Sequence, residues 1–292
     1  MRNRQEPENQ TRLPADLIAL IMPAMETPVP AVPGKRKWIT VALLVAGLAV
    51  LLTWLLLTPA GLDGKMHAAG YSVCHQIESH TLSIGGKLLP LCARCTGTFL
   101  GLLITLVTLS RRGKKTGVPS RPIFALLILF FLAFLADGIN STLTILPGLQ
   151  PLYPPNNILR LATGLLFGIS LGTLALTLWN QTLWADGEPE ALLSSWRQVL
   201  VLVALVAVTG ILILANITWL YYPVSILSTA AIFLILSMIY TLLWCIILKK
   251  ENTLHHFKDG IRIYIAGVIT AVVQVGLMDL LRFLLTHTWN SF

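Results

Sequence analysis

The side chains with the clearest capacity for chemistry are four Cys and His residues grouped in a short part of the chain. Cys92 and Cys95 form a C-x-x-C pair, and Cys74 and His75 lie 18 and 17 residues before Cys92. Because positions i and i+3 share one face of a helix, both sulfurs of the pair can point at one centre. Three thiolates and an imidazole suit tetrahedral zinc and other metals that prefer soft ligands. The sequence therefore predicts a metal site made of Cys74, His75, Cys92 and Cys95.

Two other uses of the same cysteines stay open. On the outer side of a membrane, where disulfides persist, the C-x-x-C pair can cycle between dithiol and disulfide, with Cys74 as the exchanging partner. Such a protein would be a membrane thiol–disulfide oxidoreductase. A permanent disulfide that only staples the loop is the third interpretation. Since the adjacent side chains of Cys74 and His75 are expected to diverge, His67 or His80 is an alternative ligand.

A second group of chemically capable side chains lies inside apolar stretches: Asp137, Arg160, Asp279 and Arg282. A charge within a membrane costs about 3 kcal/mol, so such residues face the bundle interior and find partners. Asp137 and Arg160 are the candidate catalytic residues, with Asp137 as a fourth metal ligand or a base acting on metal-bound water. An outward polar pocket lined by all four favours a transporter. The other interpretation is that Asp137–Arg160 and Asp279–Arg282 are ion pairs that join helices.

The composition indicates what surrounds the chain. Of 292 residues, 55% are apolar and only 12% are charged, with a mean hydropathy of +0.75. Soluble domains carry about 25% charged residues, so lipid must surround most of this chain. The net charge of +8 accompanies no basic patch interleaved with aromatic residues, which excludes nucleic acid as an expected partner. The expected partner is the lipid bilayer.

Seven apolar stretches are long enough to cross a bilayer, for which a helix needs about 20 residues. The fold class is therefore an all-α, polytopic transmembrane bundle. The predicted spans are residues 38–58, 92–110, 122–146, 158–179, 197–215, 224–248 and 261–285.

The distribution of basic residues predicts the orientation of these spans. Placing the N-terminus in the cytoplasm puts sixteen of the 21 Lys and Arg residues on that side, as the positive-inside rule requires. The loop with the cysteines is then extracytoplasmic, and the plasma membrane of a prokaryote is the expected location.

Four regions are predicted along the chain. Residues 1–37 form a disordered or loosely membrane-associated tail, and residues 38–64 contain an uncleaved signal-anchor helix and the start of the outer loop. Residues 65–180 hold the Cys/His loop and a three-helix core, and residues 181–292 form a three-helix membrane extension. Glycines recur at four-residue spacing at Gly97 and Gly101 and from Gly164 to Gly172, which predicts close packing of the second and fourth spans.

The cysteine region also resembles a known family. The motifs that carry the resemblance are Cys74-His75-Gln76, the run Pro90-Leu91-Cys92-Ala93-Arg94-Cys95-Thr96-Gly97, and later Asp137-Gly138, Asn156-Asn157, Arg160 and Thr163-Gly164. Together they resemble the membrane family called domain of unknown function 2085 over roughly residues 65–180. Members usually carry Arg where this chain has His80, which adds a candidate ligand. The resemblance implies a cysteine-rich membrane protein with no established reaction.

Overall fold

The computed structural model describes residues 33–143 and 150–289. The chain divides into two compact units, Met1–Thr40 and Val41–Phe292. Of the first unit, the described residues include only the start of the first helix. Within the described residues there are eight α-helices: Pro33–Leu57 (α1), Gly61–Tyr71 (α2), Ala93–Ser110 (α3), Arg121–Leu143 (α4), Asn157–Leu183 (α5), Trp196–Leu214 (α6), Tyr221–Ile247 (α7) and Ile261–Thr286 (α8).

All helices except the short α2 are long and apolar enough to cross a membrane, which confirms the seven predicted spans. Their bounds lie within five residues of the prediction. The last residues predicted for the third span, 144–146, and most of the predicted N-terminal tail, 1–32, lie outside the described part.

Helices α3 and α5 form the centre of the bundle, and more than half of each is buried. Gly97 on α3 lies against the backbone of Leu161 and Leu165, while Gly164 on α5 lies against the carbonyl oxygen of Arg94. A Cβ atom at either glycine would collide with main-chain atoms, so small residues permit this close approach. The predicted contact between the second and fourth spans is confirmed.

The first loop contains secondary structure that the sequence analysis did not predict. Helix α2 is followed by a one-turn 3₁₀ helix, Glu78–His80, and by an antiparallel hairpin of Thr81–Ile84 (β1) and Lys87–Cys92 (β2). Gly85 and Gly86 form its two-residue turn, and both have positive φ, as the favoured hairpin turns require. Strand β2 continues directly into α3 at Cys92. The hairpin therefore sets the point at which the first cysteine of the C-x-x-C pair enters the bundle.

A second small sheet lies at the opposite end of the bundle. Lys115–Gly117 (β3) pairs in parallel with Glu188–Ala191 (β4). Lys115 forms an ion pair with Glu190, and Lys114 lies 2.8 Å from Asp186. These charges are on the side that the basic residues assign to the cytoplasm. Over the described residues the membrane-spanning segments are thus helical, and the short strands lie in the loops.

Candidate metal centre

The two sulfurs of the C-x-x-C pair are placed by the junction of β2 and α3. Cys92 is the last residue of the strand and the N-cap of the helix, and Cys95 lies in the first turn. The N-terminus of a helix carries a partial positive charge that favours thiolates. The sequence places both residues at this helix end because the strand-forming run Lys87–Cys92 stops where the helix begins.

Cys74 comes from the turn after α2 and completes the cluster. Its backbone N–H donates to the carbonyl oxygen of Gly70 at 2.9 Å. Its Sγ atom accepts the backbone N–H groups of Gln76, at 3.4 Å, and Cys92, at 3.3 Å. The sulfurs of Cys74, Cys92 and Cys95 all lie within 4.8 Å of one another. All four cysteines of the chain are free thiols, and Cys245 lies apart from this group, buried in α7.

Gln76 fixes the position of the Cys74 turn, a role that the sequence interpretation missed. Its side-chain amide donates to the carbonyl oxygens of Pro90, at 2.8 Å, and His67, at 2.9 Å. The backbone of Gln76 has a positive φ of 53°, an uncommon conformation for a residue other than glycine. The Cys-His-Gln run could have indicated this role, because polar side chains near metal ligands often hold those ligands in position by hydrogen bonds.

Arg282 supports the same turn from the last helix. Its Nη1 donates to the carbonyl oxygens of Tyr71, at 2.8 Å, and Cys74, at 2.5 Å, and its Nη2 donates to that of His75 at 3.1 Å. The guanidinium group also lies 3.8 Å from the centre of the Tyr71 ring. The sequence pattern had suggested Asp279 as the partner of this arginine. The structure instead directs its donors to the main chain that carries Cys74.

The three histidines of this region occupy different positions. His75 belongs to the same turn as Cys74, but its ring is not part of the group of three sulfurs. Its Nδ1 accepts the N–H of Ile77 at 3.1 Å, and its ring lies 5.2 Å from that of His80. His67 points elsewhere, with Nε2 2.7 Å from the carbonyl oxygen of Trp289. His75 as a fourth ligand therefore stays a prediction.

The electrostatics of the cluster favour loss of the thiol proton at Cys92 before Cys74. The pKa of Cys92 is held well below its ordinary value, chiefly because the side chains of Cys74 and Cys95 donate hydrogen bonds to its sulfur. The pKa of Cys74 is raised to about 12, first by its hydrogen bond with Cys92. Burial and then the charge of Arg160 lower the pKa of His80 to about 4, so its imidazole is neutral near pH 7.

A buried polar network lies beside the cluster, on the other face of α3. Arg94 pairs with Asp137 of α4, with Nε at 3.0 Å and Nη2 at 2.5 Å from Oδ2. Nη2 of Arg94 also donates to Ser141 at 2.7 Å, and the hydroxyl of Tyr153 donates to Oδ1 of Asp137 at 3.1 Å. This network joins α3 to α4 next to Cys95. Arg94 was a missed residue, since sequence spacing does not reveal a partner 43 positions away.

Arg160 occupies the same region but is not the partner of Asp137. Its Nη1 donates to Asn157 at 2.7 Å and its Nε to Ser141 at 3.3 Å. The buried Nη2 has no partner among the described residues. The alternative of an Asp137–Arg160 ion pair is therefore wrong in its pairing, because Arg94 takes the carboxylate. The catalytic roles suggested for Asp137 and Arg160 stay predictions.

The chain belongs to a family of membrane proteins. Residues 74–174 match the family described as "Predicted membrane protein (DUF2085)". The chain is also 31% identical, over 102 residues, to a protein of Methanothermobacter thermautotrophicus that is described as uncharacterized. That match covers 35% of this chain and 83% of the archaeal protein. No solved structure matches the chain significantly.

The family match confirms the resemblance and locates it on the structure. It begins at Cys74 and contains the other two clustered cysteines together with Asp137 and Arg160. Arg282 and the first span lie outside the matched residues. The chain is thus an integral membrane protein in which helices beyond the family region contribute to the support of the cluster.

Proposed function

We propose that the chain binds one metal ion, with the chemistry of zinc, through Cys74, Cys92 and Cys95, with His75 as fourth ligand. The observation that carries this proposal is the convergence of three free sulfurs to within 4.8 Å of one another. Three thiolates and an imidazole form a closed tetrahedral set that is typical of structural zinc sites. The ion would tie the turn after α2 to the start of α3.

The surroundings of the sulfurs also support a metal. Two backbone N–H groups donate to the Sγ of Cys74, and such donors stabilise the negative charge of a ligating thiolate. The carbonyl groups of the same turn are held by Arg282, which orients the ligand as outer hydrogen bonds do in metal sites. A cavity of about 330 Å³ beside Cys74 and His75 supplies an entry path.

The proposed location is the outer face of a prokaryotic plasma membrane. The cluster lies at the end of the bundle where α1 ends and α3 begins. Ten Lys and Arg residues lie in or beside the short loops of the opposite end, against five at or near the cluster end. The positive-inside rule assigns the more basic end to the cytoplasm.

Elemental analysis of protein purified in detergent tests the proposal. The wild-type chain is expected to hold about one zinc ion, and Cys92→Ser or Cys95→Ser to lose it, because a closed site needs all of its ligands. Cys245→Ser is the matched control, since that cysteine is buried away from the cluster, and it is expected to retain the metal. Absence of metal from the wild type, or equal loss in the control, would contradict a cysteine metal site.

A thiol–disulfide oxidoreductase is the second candidate, and the lowered pKa of Cys92 favours it. A thiolate at Cys92 would attack a partner disulfide, form a mixed disulfide and release one partner sulfur as a thiolate. Cys95 would then attack the Cys92 sulfur, release the second partner sulfur as a thiolate and form an internal Cys92–Cys95 disulfide. Burial of the sulfurs places this candidate second, because Cys92 and Cys74 are only 2% and 5% exposed. Exchange needs access for a partner. A metal-free protein with a reducible Cys92–Cys95 bond would make this candidate the better one.

Asp137 and Arg160 are the candidate residues for any reaction beside the cysteine cluster. Asp137 is engaged by Arg94 and Tyr153, which suits a structural anion more than a free base. Arg160 keeps one buried nitrogen without a partner among the described residues and is the better candidate to meet a substrate anion. The transporter alternative depends on these same residues and stays a prediction.

A further inference from the structure

A cavity of about 550 Å³ lies between the last turns of α1 and the second half of α8. It is separate from the cysteine cluster and outside the residues that match the family. Its walls are mainly apolar, and Trp54, Phe283 and Trp289 contribute aromatic rings. Both the volume and the lining fall in the range of sites for small molecules, roughly 300–1,000 Å³.

Asp279 provides the polar feature of this cavity. Its side chain is 2% exposed, and its Oδ2 accepts the indole N–H of Trp54 at 2.8 Å. Its Oδ1 is buried and has no hydrogen-bond partner in the part of the chain that the structure describes. A buried oxygen without a hydrogen-bond partner destabilises the folded chain, and more so when it is charged. A ligand that donates one hydrogen bond to Oδ1 would remove this cost.

The two threonine hydroxyls of the cavity donate their hydrogens to the main chain. The hydroxyl of Thr53 donates to the carbonyl oxygen of Ala49 at 2.8 Å, and that of Thr58 donates to the carbonyl oxygen of Trp54 at 2.7 Å. The charged acceptor left open is a single oxygen, Oδ1 of Asp279, so a ligand with several donors, such as an ammonium group, would hold the others in mainly apolar surroundings. A hydroxyl group has a single donor and matches this one carboxylate oxygen.

We propose that this cavity binds a lipid-soluble phenol, an aromatic ring with one hydroxyl group and an apolar tail. The hydroxyl donates to Oδ1 of Asp279, and the ring packs among Trp54, Phe283 and Trp289 in the offset or edge-to-face arrangements that aromatic groups prefer. The tail lies along the apolar groove between α1 and α8. Asp279 lies about two turns before the end of α8, a depth that a membrane-dissolved molecule reaches directly from the lipid.

The test uses two probes that differ only in whether the ring oxygen carries a hydrogen or a methyl group. Binding of 4-nonylphenol and of its methyl ether, 4-nonylanisole, is measured on the full chain in detergent, with partitioning into empty micelles subtracted. A hydrogen bond to a carboxylate is worth about 1.5–3 kcal/mol, so the phenol is expected to bind roughly ten- to a hundredfold more tightly than the ether. Equal binding of the two probes to the wild-type chain would overturn the proposal.

Two variants locate the effect. Asp279→Leu removes the acceptor and is expected to abolish the preference for the phenol, while Thr53→Val changes the wall of the same cavity and is expected to keep it. Because the wild-type comparison stands alone, the test remains decisive if Asp279→Leu does not fold. A phenol preference that survives in folded Asp279→Leu, or that Thr53→Val removes as completely, would overturn the site. Neither result depends on the metal proposal.

Discussion

Replacing Arg282 by leucine removes the donors that hold the turn of Cys74 from the last helix. In the wild type these donors reach the carbonyl oxygens of Tyr71, Cys74 and His75 at 2.8, 2.5 and 3.1 Å. Leucine keeps an apolar side chain against the Tyr71 ring but offers no donor. The turn would then lose the contacts that keep the Cys74 sulfur directed at the other two.

The expected effect on metal affinity follows because these hydrogen bonds orient a ligand without contacting the metal. Loss of hydrogen bonds that orient metal ligands typically weakens metal binding by about 10- to 100-fold, equivalent to about 1.4–2.8 kcal/mol. Arg282→Lys should fall between wild type and Arg282→Leu, because one ammonium group cannot reproduce the planar fork of a guanidinium group. Arg282 is thus expected to act as a positioning residue.

Competition with a chromophoric zinc chelator measures this affinity in detergent, and thermal unfolding of the metal-free protein measures stability separately. The matched control is Arg262→Leu, the same substitution near the other end of α8. Metal affinity of Arg282→Leu within threefold of the control would refute the reasoning. A loss of affinity that only parallels a loss of metal-free stability would also refute it, since it would indicate general unfolding.

Three further predictions concern the helix bundle and the cysteine cluster. Gly164→Leu should lower the free energy of unfolding in mixed detergent by about 3 kcal/mol or more, because the side chain would collide at the α3–α5 contact. Gly138→Ala, where a Cβ meets little, should be nearly neutral, and equal effects of the two changes would contradict the packing. Asp137→Asn should cost about 3–5 kcal/mol because it removes the charge that faces the largely buried Arg94. Asp63→Asn at an exposed ion pair should show no measurable change. Metal affinity should rise by at least about tenfold per pH unit from pH 6 to 9, because Cys74, with its pKa raised to about 12, must release its proton to bind. Affinity that is flat or falls over this window would exclude Cys74 as a thiolate ligand.

The family resemblance was predictable because it depends on residues that are close in sequence. The runs around Cys74 and around Cys92 and Cys95 carry it, and the match over residues 74–174 confirms it. The same runs indicated that three cysteines belong together. The positions of the nearby histidines relative to the cysteines were not predictable, because His67, His75 and His80 are all near in sequence and differ in where the loop turns them.

The seven spans were determined by the sequence alone. Their length and hydropathy are properties of continuous segments, and lipid requires each such segment to satisfy its own backbone as a helix. The glycines of α3 and α5 likewise predicted close packing, because only small side chains permit it. The hairpin of β1 and β2 was missed, although Gly85-Gly86 between two short apolar runs is a hairpin signal.

The partners of the buried charges were decided only by the tertiary structure. Asp137 pairs with Arg94 and not with Arg160, and Arg282 donates to the turn of Cys74. Spacing along a helix identifies residues that share a face, but it does not say which other helix that face meets. The orphaned oxygen of Asp279 and the cavity around it arise in the same way, because α1 and α8 are brought together by the folded bundle and lie more than 200 residues apart in the chain.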